Sequence, residues 1–156
     1  MNDHPELRDT LAAHPFVSDL APRLLDQLAA IARTTEFPAG AWIARVGHPA
    51  DAFHLLTEGR CAIEVTAAGR APLLIATVEA GEVLGWSWMI PPHRWHFDVL
   101  AVDATRTIAI NGEALRTACE HDHQLGSEIS RRLAGMIAGR LEATRLQLMD
   151  MYGTHR

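Results

Sequence analysis

The chain is predicted to be α+β: an antiparallel β-roll, jelly-roll-like in the manner of a double-stranded β-helix, flanked by N-terminal helices and a long C-terminal helix. Three observations predict it. Apolar residues recur at helical spacing up to Ile31. Between Trp42 and Ile110 the period falls to two and is broken repeatedly by turn residues. From Asn111 helical spacing returns and runs almost to the end. Many short strands separated by turn chemistry point to an antiparallel sandwich or barrel rather than a parallel sheet.

Glu6 to Ala13 reads as a short helix, stopped at His14-Pro15 because the residue before proline is pushed out of the α region. A second helix is expected to start at Ser18 or Asp19, both good N-cap residues, with Leu20, Leu24, Leu25, Leu28 and Ile31 on its core face. The strand runs are Trp42 to Val46, Ala52 to Leu56, Cys61 to Val65 and Leu73 to Val78. They are divided by Pro38-Ala39-Gly40, Gly47-His48-Pro49, Glu58-Gly59 and Ala68-Gly69-Arg70. Two further strands are expected, Trp95 to Val102 and Thr105 to Ile110. Glu113 to Cys119 is helical, and a long helix runs from His123 to about Tyr152. Along it an apolar line passes through Leu125, Ile129 and Leu133 and continues through Ile137, Leu141, Thr144, Leu148 and Met151.

These elements divide the chain into an N-terminal helical segment (1–17), a β-roll domain with its preceding helix (18–121) and a long C-terminal helix (122–156). Such a helix extends beyond a small roll, so part of its stripe needs another surface. A homodimer through this helix is expected; the alternative is that the whole stripe folds back on its own roll.

The net charge is −5 and the arginines are scattered without a basic run, which leaves no electrostatic footprint for nucleic acid. No apolar stretch is long enough to span a bilayer, and Met1 to Pro5 lacks a basic, then hydrophobic, export signal, so a cytoplasmic protein off the membrane is expected. Cys61 and Cys119 are too few for a disulfide framework and read as buried thiols. Neither a nucleophile–base motif nor a Walker loop is present, so no enzyme is expected. Among nine histidines, His93 and His96 are three apart, His54 lies on a strand and His121 and His123 flank Asp122. They keep a metal, haem or redox sensor as a minor alternative, with no metal-ligand set assigned.

The most informative stretch is Gly81-Glu82-Val83-Leu84-Gly85-Trp86-Ser87-Trp88-Met89-Ile90, followed by Pro91-Pro92-His93-Arg94-Trp95-His96-Phe97-Asp98-Val99. Two glycines bracket an apolar step, and three of the four tryptophans follow within ten positions. A Gly-x-x-x-Gly turn can bring backbone N–H groups close to an anion. Together with Phe37-Pro38-Ala39-Gly40, Val46-Gly47-His48-Pro49-Ala50-Asp51 and Phe53-His54-Leu55-Leu56-Thr57-Glu58-Gly59, this stretch resembles the cyclic nucleotide-binding domain of the catabolite-activator type, over roughly residues 18 to 150.

The resemblance implies a roll whose corners include Gly40, Gly47, Gly59, Gly81 and Gly85, and a cyclic nucleotide, cAMP or cGMP, as ligand. It also implies a phosphate-binding cassette in which the second glycine is followed by a Glu for the ribose 2′-hydroxyl and an Arg for the cyclic phosphate closes the segment. Here Trp86 stands at the Glu position and Trp95 at the Arg position, Arg94 falls one residue early, and Trp88 replaces a small residue. If Trp95 points into the roll with Phe97 and Val99, strand alternation turns Arg94 outward with His96 and Asp98; only a bulge or a rearranged Pro91-Pro92 loop would bring it in.

The candidate ligand-binding residues are Gly85, Trp86, Ser87, Trp88, Arg94, Trp95, Arg140 and Thr144. The amides of Trp86, Ser87 and Trp88 and the Ser87 hydroxyl would receive an anion, with Arg94 as the nearby cation. Trp86, Trp88 or Trp95 would stack on a ring, and Arg140 or Thr144 of the long helix would meet the base. Glu82 is expected to bond local backbone. The chain reads as a stand-alone regulatory module with an aromatic-rebuilt pocket, binding cyclic nucleotide weakly or another planar ligand. The alternative is a dimeric interaction scaffold whose tryptophans are simply core. The segment after Met149 leaves no room for the helix-turn-helix of the family's transcription factors, so regulation is expected through a protein partner rather than DNA.

Overall fold

The computed structural model describes residues 4–153, so Met1–Asp3 and Thr154–Arg156, the outer ends of the expected terminal segments, lie outside the described residues. Helix α1 (His4–Ala13) buries Leu7 and Leu11 and ends at the expected place, where the His14 N–H donates to the Leu11 carbonyl at 3.0 Å and Pro15 follows. Helix α2 (Pro22–Ala30) begins later than Ser18 or Asp19. Its N-cap is Ala21, which offers no side-chain cap, and Pro22 supplies a preset φ for the first turn. The Asp19 carboxylate, the expected cap, instead pairs with Arg132.

Eight strands form the roll: β1 (Ala32–Phe37), β2 (Trp42–Ala44), β3 (Ala52–Glu58), β4 (Arg60–Val65), β5 (Leu73–Glu79), β6 (Val83–Leu84), β7 (Asp98–Ala101) and β8 (Thr105–Asn111). They make two antiparallel four-stranded sheets, ordered β1-β8-β3-β6 and β2-β7-β4-β5. Phe53, Leu55 and Ile108 from the first sheet and Cys61, Ile63 and Val99 from the second fill one shared core. Strand β1 carries only half-buried and exposed side chains, so its sequence lacks the apolar run that marks the inner strands; it is held by pairing with β8 from Ala32↔Ile110 to Phe37↔Thr105. Strand β7 is shorter than the expected Trp95–Val102 because residues 94 and 95 are tied to the loop at 46–49.

The β3–β4 hairpin turns on the single residue Gly59. Its φ is +87° and an added Cβ would stand 2.3 Å from the Ala104 carbonyl oxygen, so only glycine fits. After β8, Asn111 caps α3 (Gly112–His121), its Oδ1 accepting from the Ala114 N–H at 2.9 Å. Helix α4 (His123–Gly153) is rooted by Leu125, Ile129 and Leu133, all buried, and by Arg132, which pairs with Asp19 and Glu128 and donates to the Phe16 carbonyl. Past Leu133 the apolar line is largely exposed, Ile137 at 41% and Leu141 at 69%, so the stripe does not fold back along its whole length. No helix among the described residues is long and apolar enough to cross a membrane.

Candidate ligand-binding site

The segment between β6 and β7 is built around three indoles with three different fates. Strand β6 pairs His54↔Leu84 and Leu55↔Val83, and the chain then turns at Gly85, whose φ is +100°. Trp88 is wholly buried against Phe53, ring centroids 5.5 Å apart, and its Nε1–H donates back to the Gly85 carbonyl at 3.1 Å. Its own carbonyl accepts from Arg116 Nη1 at 2.6 Å. This residue closes the turn and belongs to the core. Trp95 is buried as well, with its ring against the Cα of Gly85. Either was a candidate, alongside Trp86, to stack on a ligand; the packing commits both to the core.

Arg94 faces out of the roll. The backbone bridge Pro49↔Arg94 and the bonds Trp95 N–H to His48 O and Gly47 N–H to Trp95 O, each 2.9 Å, fix the register of this segment. Alternation then turns Trp95 inward and Arg94 outward, where Nη1 donates to the Gly47 carbonyl at 2.7 Å. No bulge brings the guanidinium in, which corrects the expectation that Arg94 would serve as the site's cation. Ser87 is buried, and its Oγ hydrogen-bonds His96 Nδ1 at 3.1 Å. The His96 ring stacks on Trp86 at 4.6 Å, and the Phe97 ring meets Trp86 edge-on at 6.2 Å.

Trp86 therefore stands on a braced platform at the mouth of the roll. It lines a chamber of about 170 Å³ whose roll wall is Ile63, Ile75, Ala76 and Phe97 and whose outer wall is Ile137, Arg140, Leu141 and Thr144 of α4. Positions 137, 140, 141 and 144 share one face of the helix. Through Ile75, Ala76, Arg140 and Thr144 the chamber adjoins a groove of about 400 Å³ that runs between β5 and α4, past Gly135, Gly139 and Glu82. Of the eight candidate residues, Trp86, Arg140 and Thr144 line these cavities; Gly85, Ser87, Trp88, Arg94 and Trp95 do not. The walls Phe97, Ile137 and Leu141 and the brace His96 were not singled out as ligand-binding residues. The spacing of 137, 141 and 144 with Arg140 was the signal available in the sequence.

Arg140 is half-buried and donates from Nη2 to the Val83 carbonyl. Loss of hydration lowers its pKa, against the pull of the nearby Glu82 carboxylate and the Cys61 thiol. Thr144 Oγ1 donates to the Arg140 carbonyl at 2.9 Å, and the residue lines both cavities. Glu82 accepts from the Glu79 N–H at 2.9 Å, the local backbone bond expected of it. Burial pushes the Cys61 thiol up to about 11, with Arg140 opposing, so it is an inert core thiol. His54 bonds Thr107 and His96 stacks on Trp86; among the described residues no three His, Cys, Asp or Glu side chains converge as a metal-ligand group.

Comparison with known proteins agrees with this architecture. A putative cyclic nucleotide-binding protein from Geobacter metallireducens is 26% identical and superimposes with a TM-score of 0.76, covering 90% of this chain and 99% of its own. A cyclic nucleotide-binding domain from Methylobacillus flagellatus has the same fold at 18% identity, with a TM-score of 0.78 and coverage of 95% and 83%. The regulatory subunit of a cAMP-independent protein kinase A from Trypanosoma brucei, a triple mutant bound to cAMP in its A site, is 20% identical. Its TM-score is 0.74, over 95% of this chain and 54% of that one. No curated protein matches the chain in sequence. Residues 34–122, from within β1 through α3, match the profile of the cyclic nucleotide-binding domain, and with the roll, its glycine corners and the long helix in place, the chain belongs to that family.

Proposed function

We propose that this protein is a non-catalytic, cytoplasmic regulatory module that takes a planar small molecule between Trp86 and α4 and holds cAMP or cGMP only weakly. The observation that carries the reading is the wall of the site itself: a braced indole and Phe97 on one side, Arg140 on the other, with aliphatic side chains between. Such a site is mostly apolar with a few convergent polar groups, the common make-up of small-molecule pockets. The fit to a cyclic phosphate in the family's manner is poor. Indoles stand where an acid and a guanidinium would meet ribose and phosphate, and Arg94 is turned away. Each missing charge-assisted bond removes about 1.5–3 kcal/mol, a factor of ten or more in affinity.

Calorimetric titration with cAMP and cGMP tests the reading. Weak binding is expected, reduced about tenfold by Trp86→Ala, since one base stacked on an aromatic contributes about 1–3 kcal/mol. Absence of binding by any planar ligand, or affinity indifferent to Trp86→Ala, would refute it.

A second reading concerns assembly. The distal half of α4 carries Leu141, Leu148 and Tyr152 exposed, and beside it the edge strand β5 exposes Leu73 and Leu74. Apolar surface of this kind is best covered by a like surface, and the occupant proposed is a second copy of the chain, joined through α4. Regulation of a partner protein would then pass through the position of this helix.

A further inference from the structure

The half-buried arginines of this protein have different electrostatic surroundings. Arg132 is met by the carboxylates of Asp19 and Glu128, which raise its pKa despite burial. Arg116 gives its Nη1 to the Trp88 carbonyl and lines a groove that it shares with Asp51 and Glu113. Arg140 has the neutral Val83 carbonyl and no ion pair among the described residues. The nearest acid, Glu82, is bound to the Glu79 N–H instead. A guanidinium withdrawn from water calls for an anion, and none lies within pairing distance among the described residues.

The site also limits what that anion can be. The chamber that Trp86 lines holds about 170 Å³, below the roughly 300 Å³ at which pockets for drug-sized ligands begin, so one ring fills the space against Trp86 and anything larger would have to extend past Thr144 into the adjoining groove. Its walls away from Arg140 are Trp86, Phe97, Ile63, Ile75 and Leu141, which favour a flat hydrocarbon face. The charge of Glu82 beside Arg140 disfavours a second negative charge on the ligand. The planar fork of a guanidinium matches a carboxylate bidentately.

We infer that the chamber's own ligand is a small aromatic carboxylate, its ring against Trp86 and its single acid on the Arg140 guanidinium, and that Arg140 is the selectivity residue. This rests on the reading of the groove as a ligand site and names the ligand's class. In this arrangement α4 supplies the charge that the cassette between β6 and β7 lacks.

The test is calorimetric titration of the full chain with benzoate, with its neutral counterpart benzamide, and with cAMP, on the native protein and Arg140→Gln. Benzoate is expected to bind at least tenfold more tightly than benzamide and more tightly than cAMP. Arg140→Gln should lower benzoate affinity tenfold or more and abolish the preference over benzamide, while the circular dichroism melt shows a folded protein. Should Arg140→Gln fail to fold, Leu141→Trp, which fills the chamber from the exposed helix side, must lower benzoate affinity at least tenfold. Equal binding of benzoate and benzamide, benzoate affinity unchanged in the variant, or tighter binding of cAMP than benzoate overturns the inference. If cAMP binds and responds to Trp86→Ala while benzoate does not, the groove remains a ligand site and only the class assigned here is wrong. If none of the probes binds, both fall.

Discussion

The ring of Trp95 lies so close to Gly85 that a methyl group there would stand 2.8 Å from Cη2 of the indole. The two residues close the cassette from opposite ends, one leaving β6 and the other approaching β7, and their contact sets the width of the loop between them. Gly85 also holds φ at +100°, outside the range of side-chain-bearing residues. Both features need a hydrogen in place of a side chain. Gly85→Ala should therefore destabilise the fold by about 2–4 kcal/mol, combining backbone strain with overpacking against a buried ring. Urea denaturation gives the value, and a loss below about 0.5 kcal/mol would show that the cassette adapts freely.

Trp86 and Trp88 are two residues apart and should separate stability from binding. Trp88→Ala opens a cavity beside Phe53 and removes the bond to the Gly85 carbonyl, with an expected loss of about 3–5 kcal/mol. Trp86→Ala removes a stacking contact with His96 at the groove, and about 1–2 kcal/mol is expected. Paired melts of the two variants check the order, and equal losses would mean that Trp86 is as much core as Trp88.

Acid should weaken the fold well above the carboxylate range. His54 is buried and bonds Thr107, and burial, helped by Arg33, lowers its pKa from 6.5 to about 4. His14 is lowered too, chiefly by burial. Its Nε2 bonds the Leu56 carbonyl while its Nδ1 accepts from the Phe16 N–H, a set that needs the neutral ring. For both, the unfolded chain binds the proton more readily, so stability is complete above about pH 6.5 and is lost as pH falls below it, for His54 down to about 4. A depression of this size for His54 alone corresponds to about 3 kcal/mol. Asp19 and Glu128, lowered by their bonds to Arg132, lose their contributions only below the usual carboxylate range. Urea midpoints measured from pH 7.5 to 4.5 should fall steadily, and His54→Gln should flatten the curve; a pH-independent midpoint in the native protein would contradict the assignment.

The proposed dimer makes α4 its seam. Leu148 is exposed on the same helix face as Leu141, and Leu148→Glu should convert a dimer into a monomer in light scattering at micromolar concentration, with the melting temperature of the roll little changed. A native monomer, or a dimer indifferent to this charge, places the interface elsewhere.

Much of the architecture was legible from the apolar runs and the turns between them, because the roll's corners carry glycines and its inner strands are short apolar segments buried over consecutive residues. What escaped was decided at a distance. Strand β1 exists through its pairing with β8, not through its own pattern. Helix α2 starts at a proline because Asp19 is claimed by Arg132, more than a hundred residues away. In the site, Trp86 could be singled out from its place after Gly85 and alternation already turned Arg94 outward, but that no bulge overrides the alternation is fixed by the backbone bridge to Pro49, a contact between distant segments. Likewise, two of the three clustered indoles differ from Trp86 only in what packs over them.

The rooting of α4 at its N-terminal half has a mechanical result. Up to Leu133 the helix is embedded; beyond it, internal hydrogen bonds keep a rigid rod whose hold on the roll is concentrated near Arg140. Swinging such a rod is softer than bending it. A molecule weighing little more than one ring, wedged where the rod leaves the body, would thus be read out many ångströms away as a change of angle at its tip.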